Sequence, residues 1–238
     1  MIKKIALYSV VSICLIALFV LIGSQELPIT SALESKKSES KPIIVIDAGH
    51  GGEDGGAIGI YKKVQEKDLN LEIAKELKEI FVLSGFEVNM IREEDTALYD
   101  NDASSSIRNK KVSDLQKRVE ITNSSLNNIL ISIHQNKFSD SKYFGTQVFY
   151  SQNNPDSIVL AECMKKAFVG LIQPENKREI KPAGKNIFLL SKAKVPAVIV
   201  ECGFLSNKDE ADKLIDKNYQ KQLAFTIYCG FMDYYNSK

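Results

Sequence analysis

Residues 44–59, "IVIDAGHGGEDGGAIG", decide how this chain is read. The stretch opens as a β-branched apolar run and breaks into a segment that holds six of the chain's 13 glycines and one of its two histidines. A short apolar run bounded by glycine reads as a buried strand. Glycines permit backbone conformations and close approaches that side chains would block. His50 therefore emerges just past a strand's carboxyl end, in a loop built to let something come near.

Outward from this stretch, apolar β-branched runs alternate with helical periodicity from residue 41 onward, which points to an α/β layer fold. Strands are expected at residues 43–47, 86–92, 129–133, 146–150, 186–189 and 197–200. The first helix carries Leu69, Ile73, Leu77 and Ile80 on one face and closes near Gly85, a suitable left-handed stop. Ser113 with Gln116 forms a capping box for a helix carrying Leu115, Val119 and Thr122. Asn154 and Pro155 open a helix with Ala161, Met164, Phe168 and Leu171 on its apolar side. Asn207 with Glu210 caps a short one, and Tyr219, Leu223, Ile227 and Phe231 mark the last. Residues 93–111 are polar, lack periodicity and are long for a connection, which marks them as a functional or mobile loop.

The first forty residues differ in kind. Lys3 and Lys4 precede an uncharged apolar run at residues 5–22, and a polar stretch continues to Ser40. Positive charge ahead of one apolar segment specifies export of the chain beyond that segment. About 18 to 20 apolar residues can just span a bilayer, so the run suits a long signal peptide, with Thr30–Ser31–Ala32 as a cleavage site, or an uncleaved membrane anchor, which its length favours. Residues 1–40 are thus expected to be a targeting segment with a linker, and residues 41–238 the working domain outside the cytoplasm. With 31 basic against 30 acidic residues, nothing argues for nucleic acid binding. Apart from Cys14, the cysteines are Cys163, Cys202 and Cys229, an odd number without CxxC spacing, and read as small buried hydrophobes.

A histidine at one strand end reads as structural when taken alone. The second histidine changes that, because "ILISIHQN" places His134 immediately after another buried-type strand. In open α/β sheets the carboxyl ends of the strands form the ligand crevice. A third strand, in "VPAVIVECGFLSN", ends on Glu201, a carboxylate costly to bury unpaired. Glu66, at the start of the first helix, lies within reach of the glycine loop. Two imidazoles and one carboxylate around an open position are the ligand set of hydrolytic zinc. Such an ion lowers the pKa of its water from about 15.7 to about 7, and the remaining carboxylate can shuttle protons to a leaving amine. The spacing does not say which glutamate does which.

The segments "IVIDAGHGGEDGGAIG", "QEKDLNLEIAKEL", "DLQKRVEITN", "ISIHQN" and "VPAVIVECGFLSN" resemble, in order, the motifs of zinc-dependent N-acetylmuramoyl-L-alanine amidases (amidase type 3), and cover most of residues 41–238. The resemblance implies a single domain with a mixed, six-stranded sheet flanked by helices. It implies one zinc held by His50, Glu66 and His134, and a general acid–base role for Glu201. The implied reaction hydrolyses the amide joining the muramic acid lactyl group to L-alanine in peptidoglycan. Within the family the chain is most similar to the germination-specific amidases of spore formers, which implies extracytoplasmic work at the forespore envelope on muramic-δ-lactam formation in the cortex. Arg92, Asp95 and Arg118 sit in family-like positions, where they would orient the site or grip substrate carboxylates. Gln135 stands where many relatives have alanine, and Cys202 where threonine is frequent, both placed to tune the metal's surroundings.

No wall-binding repeat is visible, so an extracytoplasmic activating or positioning protein is expected alongside the N-terminal segment. Two other readings remain: a zinc peptidase acting within the stem peptide, and a catalytically silent wall-binding scaffold, against which the joint presence of His50, Glu66, His134 and Glu201 argues.

Overall fold

The computed structural model describes residues 41–99 and 106–238. The apolar run at residues 5–22, its linker and cleavage site, Cys14, and residues 100–105 of the long loop lie outside them. Among the described residues no helix is long and apolar enough to cross a membrane.

Six strands and six helices follow one another along these residues: β1 (Ile43–Ala48), α1 (Glu66–Leu83), β2 (Glu87–Met90), α2 (Ile107–Thr122), β3 (Asn128–Asn136), β4 (Gln147–Tyr150), α3 (Asp156–Leu171), β5 (Lys181–Pro182), α4 (Phe188–Lys192), β6 (Ala197–Phe204), α5 (Lys208–Leu214) and α6 (Lys217–Asn236). They form one α/β domain around a mixed sheet of order β2-β1-β3-β6-β4-β5. β1 runs parallel to β2 and β3, β3 parallel to β6, and β4 antiparallel to β6.

The period-2 alternation of strand side chains divides the core in two. Ile44, Ile46, Ile131, Ile133, Val198 and Val200 point to the face covered by α1, α3 and α6, where they meet Leu77, Phe168 and Phe231. Val45, Leu130, Ala197 and Ile199 point to the other face, against Leu189 and Leu190 of α4. Towards the carboxyl edge that second face turns polar, with Asp47 on β1, Ser132 and His134 on β3, and Glu201 on β6. The change in side-chain character along one face places chemistry at one end of the sheet.

Three expectations need correction. Residues 186–189 are not a strand: they lead into α4, where Leu189 and Leu190 are both buried and Ser191 N–H donates to Ile187 O at 2.9 Å. A short apolar run does not distinguish a buried helix from a strand. The sixth strand is the two-residue β5, whose Pro182 is tolerated because it lies at the sheet edge. Ser113 is no cap, because α2 begins earlier, at Ile107, capped by the Ser106 side chain accepting from Asn109 N–H. Finally, β3 and β6 continue through His134 and Glu201 rather than stopping at them. Asn207 does cap α5, accepting from Glu210 N–H at 3.1 Å, but the Glu210 carboxylate instead accepts from Gly145 and Phe204 N–H groups.

Candidate metal centre

His50 hangs from the turn after β1 in a left-handed conformation, φ 64°, uncommon for a residue with a side chain. Two buried arginines hold that turn. Arg118 of α2 donates to the carbonyls of Ala48 (3.1 Å) and His50 (2.7 Å), and Arg92 donates to those of Ala48 (2.7 Å) and Gly49 (3.1 Å). Arg118 is itself neutralised by Asp47 (2.5 Å) and Asp114 (2.6 Å). Burial alone would raise the Asp47 pKa, but the Arg118 guanidinium, with His134 and the Ser132 hydroxyl, holds that carboxyl below its ordinary value. Asp95 acts one layer out, accepting from Gly52 N–H at 2.8 Å and from Lys67 Nζ at 2.6 Å. Arg92, Asp95 and Arg118 thus all bond to the loop that carries His50, while Arg92 also donates to the Glu94 and Lys67 carbonyls, Asp95 also accepts from Lys67 and Arg118 also pairs with two aspartates.

The glycines answer to contacts. A Cβ at Gly49 would lie 2.2 Å from the His134 ring, and one at Gly56, φ 67°, would lie 2.6 Å from Glu66 Oε2 and 2.7 Å from His50 Cδ2. The loop is bare there because the side chains of His50, Glu66 and His134 fill the space.

Those side chains converge. His134 Nδ1 is 2.9 Å from Glu66 Oε1, His50 Nε2 is 3.3 Å from Glu66 Oε2, and the two rings meet edge-on with centroids 5.0 Å apart. One donor atom from each of His50, Glu66 and His134 falls within 4.8 Å of the other two. Asp54, four residues after His50, accepts at His50 Nδ1 (3.0 Å), which leaves Nε2 facing the centre. Burial would lower the His50 pKa, yet its hydrogen bonds to Asp54 and Glu66 raise it to about 9. Burial works the opposite way on Glu66, whose bonds to His134 and His50 hold it well below the usual carboxylate range. The pocket favours positive charge, and its nitrogen and oxygen donors fit a borderline cation such as zinc.

Glu201 stands beside this cluster, opposite His134 in the β3–β6 register. Its Oε2 is sealed from solvent and has no hydrogen-bond partner among the described residues. Desolvation raises its pKa to about 7. A cavity of about 270 Å³ opens here, lined by His50, His134 and Glu201 together with Lys111, Leu115 and Phe188 among others. Gln135 points to the opposite sheet face: its backbone N–H donates to Glu66 Oε1 (3.0 Å) and its Nε2 to Asn70 Oδ1 (3.3 Å). Its side chain is buried, so it lies behind the His50, Glu66 and His134 cluster rather than in the cleft.

Sequence reading passes over Asp54, Asp114 and Asn70. Helical i,i+4 spacing, of Asp114 before Arg118 and of Asn70 after Glu66, is the signal that finds two of them, whereas Asp54 lies with His50 in a non-helical turn that gives no such signal.

A family model described as N-acetylmuramoyl-L-alanine amidase matches residues 44–232. The chain belongs to that family. This amidase is 34% identical over 199 residues to the germination-specific N-acetylmuramoyl-L-alanine amidase of Bacillus subtilis strain 168, covering 84% of this chain and 82% of that protein. It is similar, at 40% identity and a TM-score of 0.79, to the CwlD amidase of Clostridioides difficile solved in complex with the GerS lipoprotein, covering 83% of this chain and 100% of that one. An N-acetylmuramoyl-L-alanine amidase of Clostridium difficile 630 aligns with a TM-score of 0.71 and 30% identity over 84% of this chain and 100% of that one. The chain is thus an enzyme of the N-acetylmuramoyl-L-alanine amidase class, acting on peptidoglycan.

Proposed function

We propose that this amidase binds one zinc ion through His50, Glu66 and His134 and hydrolyses the amide between the muramic lactyl group and L-alanine, with Glu201 as general acid–base. The observation that carries the reading is the meeting of three donor atoms within 4.8 Å beside a desolvated, unpartnered carboxylate. Zinc, when bound, supplies a Lewis acid and lowers the pKa of water in the site.

The protein's own groups do the rest. A Glu201 carboxyl that titrates at about 7 can take a proton from the attacking water and return it to the leaving amine at neutral pH. Asp54 fixes the His50 ring by accepting at Nδ1. Arg92 and Arg118 fix its backbone by binding the carbonyls of residues 48–50, and Asp95 and Gln135 support the loop and the Glu66 carboxylate. The apolar side chains of Leu115 and Phe188 limit water in the cleft.

Likeness to a germination-specific amidase supports work on the spore cortex, where removal of the peptide lets a second enzyme close the muramic-δ-lactam. The solved complex of the C. difficile relative with a lipoprotein supports an extracytoplasmic partner for this chain. The apolar segment at residues 5–22 would export residues 41–238 and hold them at the membrane if uncleaved.

The test is digestion of purified peptidoglycan by the full-length, zinc-loaded chain. New L-alanine amino termini with unchanged reducing ends mark the amidase. Other new amino termini would mark the zinc peptidase instead, and no new termini a silent scaffold.

A further inference from the structure

Each candidate ligand comes from a different element: His50 from the turn after β1, Glu66 from the first residue of α1, and His134 from β3. One side chain touches all three neighbourhoods. Asn70 is fully buried inside α1. Its Nδ2 donates to the carbonyl of Gly49, next to His50, at 3.1 Å, and to Glu66 Oε1 at a longer 3.5 Å. Its Oδ1 accepts from the side chain of Gln135, next to His134, at 3.3 Å.

The neighbours' chemistry fixes the orientation of the amide. A carbonyl and a carboxylate oxygen demand the NH₂ end, and the amide nitrogen of Gln135 demands the oxygen. A buried polar side chain left unpaired costs about 1–3 kcal/mol, so an asparagine in this apolar helix face persists only with those partners in place. Its i,i+4 position after Glu66 stacks it one helical turn behind the ligand.

We propose that Asn70 is a positioning residue for the metal centre, a single amide that sets the spacing of the β1 turn, the α1 start and β3, and so the spacing of His50, Glu66 and His134. The inference rests on the metal-centre reading above. Asn70 lies behind the ligands and takes no part in the chemical step.

The experiment uses the full-length chain in detergent, stripped with chelator, as wild type, Asn70→Leu, Gln135→Leu and, as a control far from the centre, Gln220→Leu. Gln220 is equally buried and donates to Leu214 O at 2.8 Å. Zinc affinity is read by titration against a chromophoric chelator, and ligand geometry by the visible spectrum of the cobalt(II)-loaded protein. Asn70→Leu should weaken zinc about 10- to 100-fold and alter the cobalt spectrum, Gln135→Leu should weaken it less, and Gln220→Leu should match wild type. Wild-type affinity and spectrum in Asn70→Leu would overturn the inference, as would an equal loss in Gln220→Leu. Should Asn70→Leu fail to fold, wild-type affinity in Gln135→Leu overturns it. A wild type without one-to-one zinc binding removes the metal reading itself, and this inference with it.

Discussion

Glu201 faces His134 across adjacent parallel strands, in register, yet its Oε2 meets no hydrogen-bond donor among the described residues. His134 is tied to Glu66 instead. Of these two carboxylates, one bonded to both imidazoles and one left bare among the described residues, the proposed function makes Glu66 the ligand and Glu201 the proton carrier. Glu201→Gln should therefore keep zinc near one per chain while kcat falls about 10²- to 10⁴-fold. His134→Ala should lose the zinc as well. Metal analysis beside a muropeptide assay checks both, and a zinc-depleted Glu201→Gln would reverse the assignment.

Gly49 tests the packing of the centre directly. A methyl group there would sit 2.2 Å from the His134 ring, so the ring must move. Displacements near 1 Å cost about 10² in rate. Gly49→Ala should lose at least that factor while its circular dichroism stays native. Gly170→Ala, where a Cβ meets nothing within 4 Å, should keep full activity.

Much of this site is legible in the sequence because its residues sit where the pattern changes. His50, His134 and Glu201 each come after an apolar β-branched run, and Glu66 opens a helix with clear periodicity. The residues that escape look ordinary in the sequence, whether buried, as Asn70 is, or part-exposed, as Asp54 is. Asn70 reads as an ordinary polar residue in a helix, and Asp54 as a turn acid beside glycine. The fold is legible in its parallel core, where strands are long and apolar, and least so where elements are short. β5 holds two residues, and the five-residue α4 reads as a strand from its apolar run. Arg92 and Arg118 read as substrate grips or site-orienting groups, since sequence alone does not reveal that backbone carbonyls already occupy them.

The Asp47–Arg118 pair carries a stability cost when broken. Both side chains are almost fully buried, and removing one partner of such a pair typically costs about 3–5 kcal/mol. Arg118→Met should lose stability on that scale and loosen the His50 turn. Asp47 is held below its ordinary value of 3.8 in the fold, so its contribution is complete above that pH and is lost as pH falls through the lower folded value. Asp47→Asn should be less stable than wild type at pH 7, and the gap should narrow below about pH 4. Thermal melts from pH 7 to 3 check this, and a gap independent of pH would exclude the ion pair as its source.

Glu201 should show the opposite sign. Desolvation raises its folded pKa to about 7, above the ordinary 4.5. Its burial therefore costs nothing electrostatically below the unfolded value; the penalty grows as pH rises from about 4.5 and is complete above about 7, where the fold must hold an ionised carboxylate with no hydrogen-bond partner at Oε2 among the described residues. Chelator-stripped Glu201→Gln should melt above stripped wild type at pH 8, with the difference shrinking towards pH 5. An activity-abolishing substitution that stabilises the fold is what a strained catalytic group produces. Equal melting temperatures at pH 8 would mean that Glu201 ionises without penalty, and would remove the physical basis for its working as a neutral-pH acid–base.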